Sequence, residues 1–569
     1  RPLVAPSAVS LRPLAAGPVA DWPREPAAAA PARLDDAAGF ASGVLRYEWR
    51  LAPGERREVA VVLPIDDAAG ASPPWSTPAE IAAEQARVAA QWRERLDRVQ
   101  LSGPGEVGDI ARTLRSALGH ILVNRSGPAL QPGARAYARS WIRDGALTSA
   151  ALLRLGHERA ARDFLQWFAP FQFKNGKVPC CATARGADPV PENDSDGEFA
   201  FAAADLWRYT RDEPTARALW PAVRAALAHQ ELLRQSERTE ANRAPARAAY
   251  FGLMPPSISH EGYSDKAAYS YWDDFWALSG YRSGVELAQA LGQADDAKRL
   301  AAQRDEFQAE LLRSLAASTR RYGLAVLPGA ADRGDVDPTS STVALSPGGL
   351  LGTLPDALVR STFERYWRDF EARRAAEAAG KRHGDGAYTP YEWRNVGALV
   401  RLGERERALQ ALAYFYRDRR PAGWNQWAEV VAREPREPRF LGDMPHGWVA
   451  SDQIRAVLDL FAYEHEGRGS LVLAAGVPLA WLEGPGLRLQ GLRTPYGALG
   501  WRAQLRTEAG RRVATFEFDA LREAPPGGIE LRGPWPRDAQ VSIDGRAVAG
   551  PADAIALGAG GARVRVEWR

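Results

Sequence analysis

Trp141, Arg143 and Asp144 stand together where an apolar helix pattern begins, in the stretch RSWIRDGALT of residues 139–148. A Trp ring offers a flat apolar face that suits the C–H face of a sugar ring. Arg presents a rigid fork of donors, and Asp accepts two hydroxyl hydrogen bonds. These residue types together predict recognition of a polyol. The alternative is a buried Arg143–Asp144 pair beneath a core Trp.

Asp273 and Asp274 form an adjacent pair of carboxylates inside the aromatic stretch YWDDFW, residues 271–276. Neighbouring side chains on a helix point about 100° apart, so the two should have different surroundings. Desolvation by Trp272 or a following aromatic, together with the nearby like charge, raises a carboxyl pKa. The pair is therefore a candidate general acid. The alternative is a pair of acids favoured by the dipole at a helix N-terminus.

Glu429 follows Trp427 in residues 423–455, a region without a clear helix period, and Asp443 and His446 follow near the last predicted helix. Two separated carboxylates in an aromatic pocket are the requirements of inverting glycoside hydrolysis. One acid protonates the leaving oxygen, and one base activates water across a gap of roughly 6.5–9.5 Å. Glu429 is the candidate base, and a solvated Glu in a loop is the alternative.

Two other predicted helix entrances carry polar and aromatic residues. Tyr391, Glu392 and Trp393 lie in DGAYTPYEWRNVGAL, residues 385–399, and Glu192 lies in PENDSDGEF, residues 191–199. Long loops in a compact domain are usually functional. We therefore expect these residues to line the same pocket as Trp427.

The segment 191–199 also contains Asp194, Asp196 and Glu198, which resemble a fragment of a calcium loop. The full twelve-residue spacing is absent, so capping of the next helix by Ser195 or Asp196 is the favoured interpretation. The seven His residues show no zinc-ligand spacing. We expect no metal and no cofactor.

Four segments share one design, in which a helix end and a short polar or Gly turn precede a second helix with Ala and aromatics at helical spacing. They are residues 152–168, 206–227, 287–312 and 399–416. This pattern predicts αα-hairpins. Helical patterns fill residues 77–465. A closed ring of six such hairpins would bury the apolar stripe of each helix and gather the long loops into a pocket at one end.

Two β regions flank the helices. Residues 1–76 begin rich in Ala and Pro and then alternate apolar and polar residues over 43–65 around a Pro-Gly turn. This alternation predicts a β-hairpin in a partial β-sandwich joined to a linker. Over residues 467–569 the period returns to two, and the Asp544-Gly545 turn predicts a hairpin within a C-terminal β-domain.

The bulk composition excludes several classes of protein. The chain has 569 residues and a net charge of +3, with its arginines interleaved with acidic residues, so no nucleic-acid partner is expected. No run of 18 apolar residues occurs, so no membrane span is predicted. Cys180 and Cys181 are interpreted as buried thiols because a vicinal disulfide is strained. The chain starts at Arg1 without a signal-peptide pattern, and we expect a trimmed piece of a longer protein.

Three segments resemble, in the same order, motifs of the six-hairpin glycosidases with an (α/α)6 barrel, most closely glucoamylases, with trehalases and glucosidase-I-like enzymes as relatives. They are W-x-R-D at residues 141–144, W-D-D at residues 272–274, and Glu429. In glucoamylases the first holds the terminal sugar, the first carboxylate of a W-E-E provides the general acid, and a Glu at the third place is the general base. The resemblance covers residues 100–465.

This resemblance implies a multidomain protein, with an (α/α)6 barrel over residues 77–466 flanked by β-sandwich-type segments at both ends. It implies Asp273 as general acid with Asp274 in reserve, and Glu429 as general base. The terminal sugar would be bound by Trp141, Arg143, Asp144, Glu192, Trp272, Glu392, Trp393 and Trp427. The acid pair is Asp-Asp rather than Glu-Glu, so the linkage and sugar need not be those of starch. A periplasmic or secreted location is expected.

The expected function is inverting, exo-acting hydrolysis of a glucoside-type oligo- or polysaccharide. A glycoside phosphorylase would need cationic groups where Glu429 stands. A non-catalytic glycan-binding protein would keep the aromatic pocket without turnover. A terpene cyclase would use a D-x-D-D motif, but residues 271–274, YWDD, lack the first Asp. The sequence leaves the sugar, its linkage, the anomer and the oligomeric state open.

Overall fold

The computed structural model of the chain describes residues 2–16, 33–63, 75–260, 262–381, 383–384, 386–432 and 441–569. Backbone contacts divide the chain into two compact units, residues 1–95 and residues 96–569. The predicted domain boundaries, after residues 76 and 466, stay predictions. None of the described helices combines the length and the apolar character that a membrane crossing needs.

The described residues of the first unit contain one antiparallel strand pair and one α-helix. Strand β1 (Ala8–Arg12) pairs with strand β2 (Ser42–Arg46), and helix α1 (Pro78–Leu96) follows. The start of α1 is a capping box, because Thr77 Oγ1 accepts from the Glu80 N–H and the Glu80 carboxylate accepts from the Thr77 N–H. The local sequence therefore determines where this helix begins.

The predicted hairpin over residues 43–65 is wrong. The turn forms, since the Glu55 N–H donates to the Ala52 carbonyl, but β2 pairs with residues 8–12 and not with the segment after the turn. Val59 and Val61, in that segment, are 40% and 43% exposed. The start of the chain instead takes the contacts of both arms, since residues 8–12 pair with β2 and Pro2 forms an isolated β-bridge with Val61. Residues 64 and 65 lie outside the described part of the chain.

Thirteen α-helices follow in the described part of the second unit. They are α2 (Val107–Val123), α3 (Ile142–Arg154), α4 (Glu158–Phe168), α5 (Ser195–Thr210), α6 (Glu213–Ser236), α7 (Glu240–Arg243), α8 (Tyr271–Ala290), α9 (Ala294–Tyr322), α10 (Pro338–Leu345), α11 (Asp356–Ala378), α12 (Trp393–Arg401), α13 (Arg405–Tyr416) and α14 (Gly447–Phe461). The four predicted αα-hairpins are confirmed as α3–α4, α5–α6, α8–α9 and α12–α13. Three of these turns contain a glycine with positive φ, which favours ending a helix.

Contacts between helices follow a cycle. α3 packs on α5, α5 on α8, α8 on α10, α10 on α12, α12 on α14, and α14 on α3. The remaining long helices, α2, α4, α6, α9, α11 and α13, each pack on a member of this cycle. In α8, 16 of 20 residues are buried, whereas α9 buries eight of 29 along one stripe. Helices that are buried on all faces belong to the interior, so the cycle forms the core of the helical region.

The strands of the second unit are β3 (Gln100–Ser102), β4 (Ser140–Trp141), β5 (Cys181–Thr183), β6 (Gly186–Asp188), β7 (Ala387–Tyr388), β8 (Val431–Ala432), β9 (Ala462–His465), β10 (Ser470–Leu473), β11 (Leu487–Thr494), β12 (Gly497–Glu508), β13 (Arg511–Phe518), β14 (Ile529–Leu531), β15 (Gln540–Ile543), β16 (Arg546–Val548), β17 (Ile555–Leu557) and β18 (Ala562–Trp568). They form a seven-stranded sheet of order β16-β15-β18-β13-β12-β11-β3 and a four-stranded sheet of order β17-β14-β10-β9. The predicted β-structure after residue 467 is confirmed. The Asp544-Gly545 turn joins β15 to β16, with positive φ at both residues.

Two smaller sheets lie among the loops that precede the core helices. β5 pairs with both β4 and β6, and β7 pairs with β8. In these registers Trp141 lies opposite Cys181, and Tyr388 lies opposite Val431. Cys180 and Cys181 are free and buried, as predicted. The small sheets therefore hold the loops at the entrances of α3 and α12.

Candidate active site

A cavity of about 340 Å³, here called the aromatic cavity, lies at the entrances of core helices. The aromatic and imidazole side chains on its wall are those of Tyr137, Trp141, His260, Tyr391, His446 and Trp448. The acidic and basic ones are those of Arg143, Asp144, Asp337, Glu392, Arg394 and Glu429. Most of these residues lie in the first turn of α3, α12 or α14, or just before a core helix. Helix N-termini carry partial positive charge, so this end of the core favours carboxylates.

Glu429 is a wall carboxylate whose two oxygens each accept a tyrosine hydroxyl hydrogen bond. Its Oε1 accepts from the Tyr391 hydroxyl at 2.8 Å, and its Oε2 accepts from the Tyr137 hydroxyl. His446 Nε2 lies 3.8 Å from Oε2, and the Glu429 N–H donates to the Leu441 carbonyl at 3.1 Å. The side chain is 19% exposed. Two hydroxyl donors orient the carboxylate as an acceptor, which is the form that a general base requires.

Asp443 holds the turn that carries Tyr137. The N–H groups of Arg135 and Tyr137 donate to Asp443 Oδ2 at 2.7 and 3.0 Å, and that of Ala136 donates to Oδ1 at 3.2 Å. Burial opposes ionisation of Asp443, but the three donors outweigh it and keep the pKa of this carboxyl below its usual value. Asp443 thus supports Glu429 through Tyr137.

Gly442 allows the Asp443 loop to approach the base closely. A Cβ at position 442 would lie 2.6 Å from Glu429 Oε2 and 3.2 Å from the Tyr137 ring. Gly442 also has a φ of +70°, which side chains rarely adopt. Both the space and the backbone conformation therefore require glycine at this position.

Arg143 connects the cavity wall to a buried acidic group. Its Nη1 donates to Glu192 and lies 3.5 Å from Asp194 Oδ2, and its Nε lies 4.0 Å from Asp144 Oδ2. The guanidinium carbon also lies 5.0 Å from the centre of the Trp448 ring. Arg143 is therefore a wall residue and the cation of a buried network at once, and Glu192 lies behind the wall.

Asp144 lines the cavity in its protonated form. Burial raises the pKa of Asp144 to about 8, with Arg143 opposing the shift and Glu429 adding to it. The carboxyl therefore holds a proton at neutral pH. A neutral carboxyl in a cavity can donate a hydrogen bond or a proton to a ligand.

The predicted capping of α5 by Ser195 or Asp196 is wrong, because no side-chain hydrogen bond caps this helix. Asp196 instead lies 2.7 Å from His229 Nδ1, and Asp194 accepts from Trp272 Nε1 at 2.8 Å. Partners on other helices draw these carboxylates away from the N–H groups of their own helix. The segment stabilises the core behind the aromatic cavity.

Asp273 and Asp274 lie behind the cavity wall, and both are fully buried. Asp273 Oδ2 accepts from the Ser257 hydroxyl at 2.6 Å, whereas Asp274 Oδ1 accepts from the Met254 N–H at 2.9 Å. The predicted difference in surroundings is confirmed. Burial raises the pKa of Asp273 well above its usual value and that of Asp274 to about 8. Asp274 is therefore protonated at neutral pH, and burial favours the protonated form of Asp273 as well.

The other predicted sugar-binding residues divide into one wall residue and three buried tryptophans. Glu392 lines the cavity and accepts two hydrogen bonds from Arg373, at 2.8 and 2.6 Å. Trp393 and Trp427 are buried, with ring centres 5.2 Å apart, and Trp272 is buried as well. Among the described residues these tryptophans do not contribute to the wall. They pack behind it.

Two neutral histidines lie on the wall. Burial lowers the pKa of His260 to about 4 and that of His446 to about 3. His446 Nδ1 accepts from the Val449 N–H at 3.3 Å, so the proton resides on Nε2, the nitrogen nearer to Glu429. The His260 ring packs edge-on against Trp272, with centres 4.7 Å apart. His260 therefore covers part of the element that carries Asp273.

In the described part of the chain, one group of side chains could hold a metal ion. The ligand atoms of Cys180, Cys181 and Asp188 lie within 4.8 Å of one another. Arg139 Nη1 donates to Cys181 Sγ at 3.5 Å and to Asp188 at 3.4 Å. A guanidinium already neutralises this group, so it is poorly suited to a further cation.

Sequence reasoning missed several wall residues, among them Tyr137, His260, Asp337 and Arg394. Each of these four stands in a loop shortly before a core helix or in its first turn, which is the signal that identified Tyr391. Arg394 also pairs with the buried Asp452, with 3.2 Å between Nε and Oδ2. Closeness to the start of a core helix therefore predicted a place on the cavity wall better than residue type did.

No protein-family model matches the chain, and no curated protein matches its sequence. Among solved structures, an alpha-L-rhamnosidase from Dictyoglumus thermophilum matches with a TM-score of 0.53 and 11% identity, over 83% of this chain and 50% of that one. A Streptomyces avermitilis alpha-L-rhamnosidase complexed with L-rhamnose matches with a TM-score of 0.50 and 16% identity, over 82% and 42%. At such identities the likeness is one of fold. This chain spans half or less of each of these proteins.

Proposed function

We propose that this protein is a glycoside hydrolase whose core helices form an (α/α)6 barrel. The cyclic order of helix contacts supports the barrel, and the fold likeness to two rhamnosidases supports the enzyme class. The observation that carries the proposal is Glu429, a carboxylate held by two tyrosine hydroxyls on the wall of an aromatic, carboxylate-rich cavity.

In this proposal Glu429 is the general base of an inverting reaction. Its carboxylate takes a proton from a water molecule as the water oxygen attacks the anomeric carbon. Tyr137 and Tyr391 keep both carboxylate oxygens directed toward the cavity. The faces of Trp141 and Trp448 contact the C–H face of the sugar, as aromatic rings do in many polar ligand sites.

Asp273 is proposed as the proton donor, with Asp274 in reserve. Support comes from its motif and from burial, which raises the pKa of the carboxyl and so favours its protonated form. A general acid must reach the leaving oxygen within hydrogen-bond distance. Because Asp273 lies behind the wall, proton transfer from it requires the His260–Trp272 contact to open. Asp144, protonated and already on the wall, is the second candidate donor.

The proposed substrate is the end of a glucoside-type oligo- or polysaccharide. A cavity of about 340 Å³ is small among ligand sites, which supports binding of a chain end rather than a chain interior. The two wall arginines argue against a phosphorylase, since Glu192 neutralises Arg143 and Asp452 pairs with Arg394. Phosphate would therefore find little uncompensated charge there.

The burial of Asp273 favours a second candidate function, that of a non-catalytic glycan-binding protein. Such a protein would use the same aromatic wall and the same hydrogen-bonding carboxylates. It would bind the sugar without breaking its bond. The two candidates differ only in turnover.

The test is sugar release from a panel of α- and β-linked glucosides and rhamnosides, with binding measured in parallel by calorimetry. Release from one class supports the hydrolase and identifies the sugar. Binding without release supports the second candidate, and neither binding nor release contradicts both. The variants Asp273→Asn and Asp144→Asn then identify the proton donor. Glu261→Gln is a third variant, because position 261, which lies outside the described residues, follows the wall residue His260 in sequence.

A further inference from the structure

A second and larger cavity, of about 510 Å³, lies beside the C-terminal halves of α3, α5, α8, α12 and α14. Seven arginines line it. Six of them lie on six different helices, namely Arg154, Arg208, Arg282, Arg304, Arg401 and Arg455, and the seventh, Arg211, directly follows α5. We call it the arginine cavity. On α3 the nearest lining residues of the two cavities, Asp144 and Ala150, are six positions apart, or about 9 Å along the helix. The two cavities therefore lie toward opposite ends of the same core helices.

Five of these arginines have close carboxylate partners. Arg304 binds Asp305 at 2.8 Å, and Arg211 binds Glu523 at 3.1 Å. Arg154 and Arg401 both bind Asp459, at 2.7 and 3.1 Å, and Arg208 binds Glu286 at 2.8 Å. Their charges are therefore compensated within the protein. These pairs form a fixed part of the cavity wall.

Arg282 and Arg455 lack such compensation. In the described part of the chain Arg282 has no ion pair and donates only to the carbonyls of Gly348 and Gly349, at 2.9 and 2.7 Å. Arg455 has one ion pair, in which Nη1 lies 3.5 Å from Asp452 Oδ1. Burial lowers the pKa of both guanidiniums, because nearby carboxylates do not offset their desolvation. A buried charge without a close partner is unfavourable.

The carboxylates that remain on the wall do not restore the balance. Burial, reinforced by Asp205 and Glu466, raises the pKa of Glu464 to about 8, so this carboxyl is neutral at pH 7. Burial also raises the pKa of Asp205 to about 6. Seven arginines on the described wall face five carboxyl side chains, those of Asp205, Glu286, Asp459, Glu464 and Glu466, so the arginine cavity keeps a net positive charge near neutral pH.

We propose that the arginine cavity binds a phosphate or sulfate group, either free or carried on a small sugar. Guanidinium forks match tetrahedral oxoanions through paired hydrogen bonds. Such a group would give Arg282 an ion pair, which it lacks among the described residues, and would give Arg455 a closer partner than Asp452 at 3.5 Å. The volume of the cavity lies within the range of small-molecule sites and exceeds what a bare oxoanion needs.

Asp452 connects the two cavities. Its Oδ1 faces Arg455 of the arginine cavity at 3.5 Å, and its Oδ2 faces Arg394 of the aromatic cavity at 3.2 Å. An anion that draws Arg455 away would leave Asp452 to pair with Arg394 alone. Anion binding is therefore expected to change the affinity of the aromatic cavity, and sugar binding must change anion affinity by the same factor.

The experiment is calorimetric titration of the whole chain with inorganic phosphate, sulfate and glucose 6-phosphate at fixed ionic strength, with glucose as the neutral control. Arg455→Gln and Arg304→Gln remove charges from the cavity wall. Arg299→Gln removes an exposed charge from the same helix as Arg304, away from the wall, and is the matched control. Thermal unfolding verifies that each variant is folded.

Saturable binding is expected, weakened at least tenfold by Arg455→Gln and severalfold by Arg304→Gln, and unchanged by Arg299→Gln. Tighter binding of glucose 6-phosphate than of phosphate identifies a sugar-borne group, and equal affinities identify the free anion. Absence of saturable binding overturns the proposal, as does binding that both wall variants retain or that the control variant loses equally. If the Arg455→Gln variant does not fold, the effect of Arg304→Gln on anion binding decides the outcome, because Arg304 is partly exposed. Binding requires no hydrolysis, so this result is independent of the proposed function.

Discussion

The Tyr391 hydroxyl donates to Glu429 Oε1 at 2.8 Å. The ring of the same tyrosine packs against Trp448, with centres 4.2 Å apart. Tyr391 comes from the entrance of α12, Trp448 from the first turn of α14, and Glu429 from the loop between α13 and α14. One tyrosine thus fixes the proposed base to the aromatic surface on which a sugar would lie.

Removing the hydroxyls that hold Glu429 should slow turnover without unfolding the protein. Tyr391→Phe and Tyr137→Phe each delete a hydrogen bond to a carboxylate, an interaction of about 1.5–3 kcal/mol. If the transition state loses this much stabilisation, kcat falls by roughly 10- to 100-fold. Tyr414→Phe, which removes a hydroxyl from Glu377 elsewhere, is the control. Equal rates in all three variants would contradict the role of Tyr137 and Tyr391.

Gly442→Ala should displace Glu429, because the new Cβ would lie 2.6 Å from its Oε2. The positive φ adds backbone strain, so we expect a loss of about 1–2 kcal/mol in the free energy of unfolding together with a strong loss of turnover. Gly423→Ala is the matched control, since a Cβ there meets no atom within 4 Å. Chemical unfolding and sugar release measure the two effects. If Gly442→Ala changed neither the free energy of unfolding nor the rate of sugar release, the loop would be shown to move freely away from the base.

Asp443→Asn should destabilise the protein in a pH-dependent way. The folded-state pKa of Asp443 lies below the unfolded value of about 3.9, so its contribution is present above that pH and is lost as pH falls through the folded value. Loss of charged acceptors for three N–H groups should cost about 1–3 kcal/mol at pH 7. Urea unfolding at pH 7 and pH 3 measures this cost. A cost of the same size at both pH values would exclude the charge as its source.

Asp144→Asn should have the opposite effect on stability. The folded-state pKa is about 8, so the folded protein retains a proton that the unfolded chain loses above about pH 3.9, and stability falls as pH rises between these values. The amide does not titrate, so the variant should be more stable than the parent at pH 7, by roughly 1–4 kcal/mol, and similar near pH 4. Asp305→Asn, at a 68% exposed carboxylate, is the control. Destabilisation at pH 7 would mean that Asp144 is ionised and bound to Arg143.

The helices of this fold could be predicted because their signals are local. A 3.6-residue period, a short polar or Gly turn and a second helix fix an αα-hairpin such as α3–α4 without knowledge of distant residues. The same reasoning failed for the N-terminal hairpin. Alternation shows that residues near 43 favour a strand, but it does not encode the partner, which is β1, some thirty residues earlier.

Part of the site could also be predicted, because some of its signals are local. Trp141, Asp144 and Glu429 were recognisable from residue type and from their place at helix entrances. Tyr137 was missed because its role depends on Asp443, which lies 306 residues away in the chain. Trp393 was assigned to the pocket, but its side chain points into the core, since the rotation of a helix about its axis is set by tertiary packing.

The most direct test of the account is Glu429→Gln, compared with the parent on the substrate that the glycoside panel identifies. The amide can no longer accept a proton from water, so turnover should fall by roughly 10²–10⁴-fold while sugar binding and thermal unfolding stay unchanged. Glu404→Gln, at an exposed carboxylate on the loop before α13, should keep the parental rate. Turnover of the Glu429→Gln variant within about threefold of the parent, well below the expected loss, would contradict the assignment of Glu429 as the catalytic base.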